Sequence, residues 1–355
     1  MATIKDIARA LGLSASTVSR ALAGHARIPE ATRARVQASA EELGYAPNRA
    51  AQSLVGGRSS GFAGLVLTDP GYGREDSYLG DYIQGLGQGL AEGGVDMFLA
   101  AIPQGQSELS VIRNIVTSRR ADGLVLGRTS EVDPRVDYLM STGFPFVTHG
   151  RVLSDAFSYN WVDTDGTAAF GAAFDLLYAL GHRRFALLTI DEPMTFRHHR
   201  TQGVVQAIER RADPEVTLTY ATAPRYDPAR RQQVVQDLLL RRPRPTAVIA
   251  LFDSLALTVL QVAESLSLSV PDDLSVTGYD NISSAAMARP GLTTFDSDTY
   301  SSARETGRML IARIKEPDAE CRSLLIPPKL VLRASHGPAP AHRTTTRTMQ
   351  QGGRP

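Results

Sequence analysis

From Phe62 onward, short apolar runs alternate with stretches of helical periodicity, and no other feature of the chain narrows its fold so far. The runs Phe62–Thr68, Val95–Ala101, Gly123–Leu126, Phe144–Thr148, Phe185–Ile190, Thr246–Leu251 and Leu274–Gly278 have the length and branched apolar content of buried parallel strands. Between them fall helix-patterned stretches such as Tyr82–Glu92, Thr167–Leu180, Arg200–Arg211 and Leu255–Leu266. Strand–helix–strand repetition specifies doubly wound parallel sheets with helices on both faces. So many elements exceed one comfortable sheet, and two lobes are expected. The tail from Ala339, with its Pro, Thr, Arg and Gly, has the composition of a disordered segment.

The first residues follow another pattern. Thr3 stands before Ile4-Lys5-Asp6-Ile7, where it caps a helix and Asp6 sits favourably in the first turn. Gly12 ends that helix, and Ser14 caps a second from Ala15 to about Leu22. Ala8 and Val18 are small or branched where the two helices would cross closely. Pro29-Glu30 opens a third helix with Val36, Ala40 and Leu43 on one face and Gly44 as terminator. Two helices joined by a tight turn and buttressed by a third describe the helix-turn-helix unit that binds DNA. Pro47 breaks the pattern, Asn48 can cap a short segment from Arg49 to Val55, and Gly56-Gly57 closes it. Arg58-Ser59-Ser60-Gly61 is linker.

Charge agrees with this division. The 355-residue chain carries a formal charge of only +1. Residues 1–58 hold eight Lys and Arg against four Asp and Glu, a balance of +4, which leaves −3 for the remainder. A basic head on a slightly acidic body is the footprint of a module that meets phosphate. The single cysteine, Cys321, excludes an internal disulfide and suits a reducing compartment. Met1 opens a polar, helix-patterned segment without an apolar signal region, and no run is long enough for a membrane span. A cytoplasmic location without membrane contact is therefore expected.

The motifs Thr3-Ile-Lys-Asp-Ile-Ala, Gly12-Leu-Ser, Ser16-Thr-Val-Ser-Arg20, Gly44-Tyr-Ala-Pro-Asn48 and Ala51-Gln-Ser-Leu54 closely resemble the head of the LacI/GalR (lactose-repressor/galactose-repressor) family. Gly181-His182-Arg183, Val270-Pro-Asp-Asp-Leu-Ser-Val, Gly278-Tyr-Asp-Asn281, Leu292-Thr-Thr and Leu332-Arg-Ala-Ser335 extend the resemblance along nearly the whole chain, in order. The resemblance implies a ligand-controlled transcriptional repressor in three parts. An all-α helix-turn-helix head (1–47) is followed by a hinge helix and linker (48–61). An α/β two-lobed, periplasmic-binding-protein-like core of doubly wound parallel sheets then spans 62–338. Its N-lobe would take about 62–161 and 291–321, its C-lobe about 162–290 and 322–338, with 339–355 as a disordered tail.

In this fold class the second helix enters the major groove with its N-terminal residues at base edges. Those residues are Ala15 and Ser16, with Arg20 one turn further along. Arg20 can donate two hydrogen bonds to guanine, a contact worth about 1–3 kcal/mol of discrimination; the bland alternative is a phosphate or solvent contact. Ser14, Thr17, Ser19, Asn48 and Arg49 suit phosphate contacts or caps, which position the module without reading sequence. The resemblance makes 48–55 a hinge helix that folds on operator DNA beside its dimer mate, with Leu54 as a wedge in the minor groove. The alternative is a flexible linker whose Leu54 packs on the core.

Ligands of open α/β sheets sit beyond the carboxyl ends of the strands. That rule nominates Asp69, Tyr78, Arg128, His149, Arg151 and Asp280, and the segment Arg197-His-His-Arg200. By resemblance Arg200 grips the effector and Asp280 is its acidic partner, a pair able to chelate vicinal hydroxyls; a structural salt bridge is the alternative. Tyr226 matches a stacking aromatic and Phe252 a lining residue, while Trp161 near the crossover suits sugar stacking and core packing equally. Charged donors, carboxylates and scattered aromatics favour a neutral polyhydroxylated effector, a saccharide such as an α-glucoside, with a purine or nucleoside co-repressor as the runner-up. Phe252 stands where relatives often carry a polar residue, and the loop 69–77 is longer than usual, so the pocket is reshaped.

No Cys/His metal spacing accompanies His149, His182 or His198-His199, and no cofactor is implied. Gly85-x-Gly87-x-Gly89 falls inside a helical stretch, a poor dinucleotide signature, and neither a Walker loop nor a Gly-x-Ser-x-Gly elbow occurs. An enzyme is thus disfavoured. A cytoplasmic solute-binding protein is the stronger rival, against which the basic head argues. A homodimer on a pseudo-palindromic double-stranded operator is expected, and no heptad extension offers a device for tetramers.

Overall fold

The computed structural model describes residues 2–22, 24–25, 27–45, 59–67, 77–154 and 158–340. The chain divides into two compact units, Met1–Ser60 and Gly61–Pro355. The first contains α1 (Ile4–Leu11), α2 (Ala15–Leu22) and α3 (Glu30–Glu42). At the start of α1 the Asp6 carboxylate accepts from the Thr3 backbone N–H at 2.9 Å and its hydroxyl at 2.7 Å. Ser14 Oγ accepts from the Thr17 N–H at 3.1 Å, capping α2. Gly12, at φ +64°, turns the chain between them. Ile7, Ala8, Val18, Ala21, Val36 and Ala40 close a small core. Leu43, expected on that apolar face, is 40% exposed. Helix α3 stops at Glu42, so Leu43 falls past the helical face and Tyr45 packs on the core instead. The expected hinge with Asn48, Arg49 and Leu54 lies outside the described residues, as does Asp69.

The second unit runs β1 (Phe62–Leu67), α4 (Ser77–Ala91), β2 (Asp96–Ala101), α5 (Glu108–Thr117), β3 (Gly123–Gly127), α6 (Pro134–Thr142), β4 (Phe146–His149), β5 (Trp161–Thr164) and α7 (Gly166–Ala179). It continues β6 (Arg184–Thr189), α8 (Thr195–Arg211), β7 (Thr217–Thr222), α9 (Pro228–Leu239), β8 (Ala247–Ala250), α10 (Asp253–Ser265), β9 (Ser275–Thr277) and α11 (Ser283–Met287). Last come β10 (Thr294–Asp296), α12 (Thr299–Lys315), β11 (Ser323–Ile326) and β12 (Lys329–Val331). A six-stranded parallel sheet has the order β11-β5-β4-β3-β1-β2, and a four-stranded parallel sheet the order β7-β6-β8-β9. β10 and β12 pair antiparallel. One face of the larger sheet packs Tyr82, Leu86, Leu90, Leu310 and Ile311 of α4 and α12; the other packs Ile112, Ile115, Val136 and Leu139 of α5 and α6.

The lobe boundaries differ from those expected. Register pairs Ser323 with Trp161 and Ile326 with Thr164, so β5 and β11 belong to the first lobe, which runs past 161 and 321. Leu292 and Phe295 sit in the core of the second lobe, so the chain leaves that lobe after Asp296 rather than near 290. Sheet pairing sets a lobe boundary, and the runs 161–164 and 323–326 are too short and mixed to show as strands in the sequence. Val95–Ala101, expected as a buried strand, forms the sheet edge, with Leu99 44% exposed. The tail is tied at its first residue, where the Ala339 N–H donates to the Leu180 carbonyl at 2.8 Å; residues 341–355 lie outside the described ones. Among the described residues no helix is long and apolar enough to cross a membrane.

The glycine run in α4 has a packing role. A Cβ at Gly85 or Gly89 would collide with the carbonyl oxygens of Tyr300 and Arg304 on α12, and one at Gly307 would lie 2.8 Å from the Leu86 carbonyl. Glycine lets these two helices touch backbone to backbone.

Candidate functional site

In the first unit the α2 segment presents one continuous polar face. Ser14, Ala15, Ser16, Ser19 and Arg20 are exposed and Thr17 half-buried, while Val18 and Ala21 point into the core. The structure thus brings together the expected base- and phosphate-contacting residues of 14–20 on one outward surface.

In the second unit the carboxyl ends of the strands converge on an open-mouthed cleft. Of the expected residues, Tyr78, Arg128, His149, Arg200, Phe252 and Asp280 line it. Arg151, Trp161 and Tyr226 do not. Trp161 is a β5 residue packed on the α5–α6 face of the sheet, and the Arg151 guanidinium lies 5.5 Å from its ring centroid. Tyr226 is 43% exposed, and its hydroxyl accepts from Arg128 at 3.0 Å. His199 of the nominated segment 197–200 lines it too, and Tyr82, Asp163, Thr195, Arg225 and Tyr279 line it without having been nominated. Asp163 obeys the strand-end rule, but its strand does not show in the sequence; Tyr279 adjoins the nominated Asp280.

Arg200 lies at the centre of the site. Its side chain arises from α8, crosses the face of Tyr279 at 3.8 Å from the centroid, and donates to the Leu251 carbonyl at 2.5 Å. Gly166, where a Cβ would meet the Arg200 side chain at 3.0 Å, leaves room for this path. The Asp280 carboxylate stands 3.8 Å from its other terminal nitrogen, facing it without a direct hydrogen bond. Asp280 and Asn281 both take positive φ, 106° and 52°. Bonds from the Asp280 N–H to the Phe295 carbonyl (2.9 Å) and from Arg333 to the Asn281 side chain (2.6 Å) hold that turn.

Charges in the cleft are arranged in pairs. Asp163 faces Arg151 at 3.3 Å, and Arg128 faces Glu192 at 3.8 Å. Burial pushes the Asp163 carboxyl up to about 6, against the pull of Arg151. Burial also pushes His149 and His199 down to about 4, so both are neutral near pH 7. His149 lies within hydrogen-bond distance of the Tyr78 hydroxyl through Nδ1 (3.2 Å) and of the Ser302 hydroxyl through Nε2 (3.1 Å). Arg151 donates from Nε to His199 Nε2 at 3.2 Å. Below the β3 end, Arg135 binds Asp133 (2.6 Å) and Glu108 (2.5 Å) and donates to the carbonyls of Gly127 and Arg128, fixing the turn that aims Arg128.

The lobes are joined along one lip of the cleft. Thr195 N–H donates to the Thr129 carbonyl at 3.0 Å, Glu131 N–H donates to the Pro193 carbonyl at 3.0 Å, and the hydroxyls of Thr129 and Thr195 meet at 2.6 Å. On the far side the buried Tyr279 hydroxyl donates to Thr164 Oγ1 at 2.9 Å. Among the described residues no cluster of His, Cys, Asp or Glu suits a metal ion. Cys321 is exposed, with its thiol 3.0 Å from Arg313.

Residues 3–48 match the family of bacterial regulatory proteins called lacI, and residues 174–336 match the periplasmic binding protein-like domain. The chain is 33% identical to the HTH-type transcriptional regulator AglR of Rhizobium meliloti over 344 residues, 95% of each chain. It is 30% identical to the HTH-type transcriptional regulator CelR of Thermobifida fusca, over 94% of this chain and 98% of that one. A solved transcriptional regulator CelR–cellobiose complex superposes with a TM-score of 0.71 at 27% identity, covering 94% of this chain and all of that one. The lac repressor dimer bound to operator and the anti-inducer ONPF shares the fold, with a TM-score of 0.79 at 22% identity over 95% of this chain and 99% of that one. These relatives are regulators rather than enzymes. The chain belongs to the LacI family of transcriptional regulators.

Proposed function

We propose that the chain is a homodimeric repressor that binds a pseudo-palindromic operator through the exposed face of α2 and is released when a neutral saccharide occupies the cleft. The observation that carries the ligand class is the pairing of charge. Each of Asp163, Asp280 and Arg128 faces a group of opposite sign, so the cleft offers charge-paired hydrogen-bonding groups. Tyr82, Phe252 and Tyr279 add the aromatic faces on which sugar rings stack. A related regulator has been solved with cellobiose, which supports a sugar of that size. An α-glucoside is our first expectation within the class.

The switch is a population shift. The saccharide contacts both lobes, and it changes DNA affinity only so far as it binds two lobe arrangements unequally. Lip bonds between 128–131 and 192–195 are the contacts that such a rearrangement breaks or strengthens. Gel-shift assays on a palindromic library, with maltose, trehalose, sucrose, cellobiose, glucose, adenosine and cytidine, test the reading. Release by one sugar supports it; release by a nucleoside alone, or no DNA binding, overturns it.

A further inference from the structure

We propose that Asp163 is a specificity-determining residue of the cleft, a first-lobe carboxylate that accepts a ligand hydroxyl opposite Asp280 of the second lobe. The inference rests on the saccharide reading above. Asp163 is the last residue but one of β5, next to Thr164, whose hydroxyl receives the Tyr279 phenol from the second lobe. Asp280 follows Tyr279 directly. The two carboxylates therefore flank the same interlobe bond, and both line the cleft.

Asp163 keeps acceptor capacity for a ligand. Asp163 Oδ1 accepts from the Thr164 N–H at 2.8 Å, and Oδ2 lies 3.3 Å from Arg151 Nε. A carboxylate offers about four lone-pair sites, so these contacts do not fill it. Its side chain keeps 16% exposure where it borders the cleft. Arg151 has further partners in His199 and the face of Trp161, so its place does not depend on Asp163 alone. Asp163 and Asp280, one from each lobe, would accept from a polyol at two points, an arrangement that selects ligands with hydroxyl donors at both ends.

Calorimetric titration of the full-length protein with glucose, maltose, cellobiose, trehalose and sucrose, then with monodeoxy analogues of the sugar that binds, tests the assignment. The wild type should lose about tenfold or more for one particular missing hydroxyl. Asp163→Asn should lose a similar factor for the parent sugar, and in that variant the same deoxy position should cost nothing further. Asp163→Ser, smaller and uncharged, repeats the cycle should Asn not fold. Equal deoxy penalties in wild type and variant would overturn the assignment. No binding by any neutral sugar would overturn the saccharide reading itself, an outcome distinct from the first.

Discussion

The glycines of α4 allow a prediction with an internal control. Gly85 and Gly89 face α12 so closely that a methyl group would meet the carbonyl oxygens of Tyr300 and Arg304, whereas nothing lies within 4 Å of a Cβ at Gly87. Backbone carbonyl oxygens within a helix have no free rotor, so Gly85→Ala must part the two helices by about 1 Å, and a gap of that size forfeits a quarter to a half of each dispersion contact across the seam. Overpacking of this kind costs about 1–3 kcal/mol, with a backbone clash at the upper end. For a unit of this size about 3 kcal/mol lowers the thermal midpoint by roughly 5 °C. Gly87→Ala, in the same helix, should instead gain up to about 1 kcal/mol from helix propensity. Thermal unfolding followed by circular dichroism on the full-length variants reads both signs. If Gly85→Ala unfolds with the wild type, or Gly87→Ala falls as far as Gly85→Ala, the close-approach argument is wrong.

Arg20→Ala should weaken operator binding by about 1–3 kcal/mol and relax preference at one base position, with little change on random DNA; equal losses on both would make Arg20 a phosphate contact. His149 has a folded pKa near 4, below its ordinary 6.5. Its neutral form therefore supports the fold fully above pH 6.5, and that support fades as pH falls toward 4, by about 2–3 kcal/mol. His149→Gln should flatten this acid limb in urea titrations at pH 7.5 and 4.5; an unchanged limb contradicts the assignment. Asp163 has the opposite sign, since its folded pKa of about 6 exceeds the ordinary 3.8. Stability from its protonated form is present below pH 3.8 and lost as pH rises through 6, a cost of up to about 3 kcal/mol at neutral pH. Asp163→Asn should thus raise the urea midpoint at pH 7.5 but not at pH 4; a lower midpoint at pH 7.5 would mark Asp163 as a stabilising partner of Arg151.

Buried strands such as β1, β3, β6 and β8 are legible in the sequence because both faces need apolar residues, which leaves an unbroken run. β5, Trp-Val-Asp-Thr, ends in two polar residues, and β7, Thr-Leu-Thr-Tyr-Ala-Thr, is interrupted by threonines, so both escape that signal. With β5 hidden, the lobe boundary moved and Asp163 near its end went unnoticed. Arg200, Asp280 and His149 were legible because strand ends and family motifs both point at them. Arg151 follows the same rule by position, and Trp161 the expected crossover, yet neither side chain lines the cleft, a direction that sequence spacing does not encode. Gly85-x-Gly87-x-Gly89 illustrates the reverse case: a motif without its chemistry, retained for a helix crossing whose second partner, Gly307, lies far along the chain.

The central claim is that cleft and operator are thermodynamically coupled. Reciprocity tests it most directly: operator affinity measured with and without the bound sugar, and sugar affinity measured with and without a saturating operator duplex, at one salt concentration. Each ligand should weaken the other by the same factor, on the order of 5–150-fold. A sugar that binds the cleft but leaves operator affinity unchanged, with the operator leaving sugar affinity unchanged, would contradict that claim.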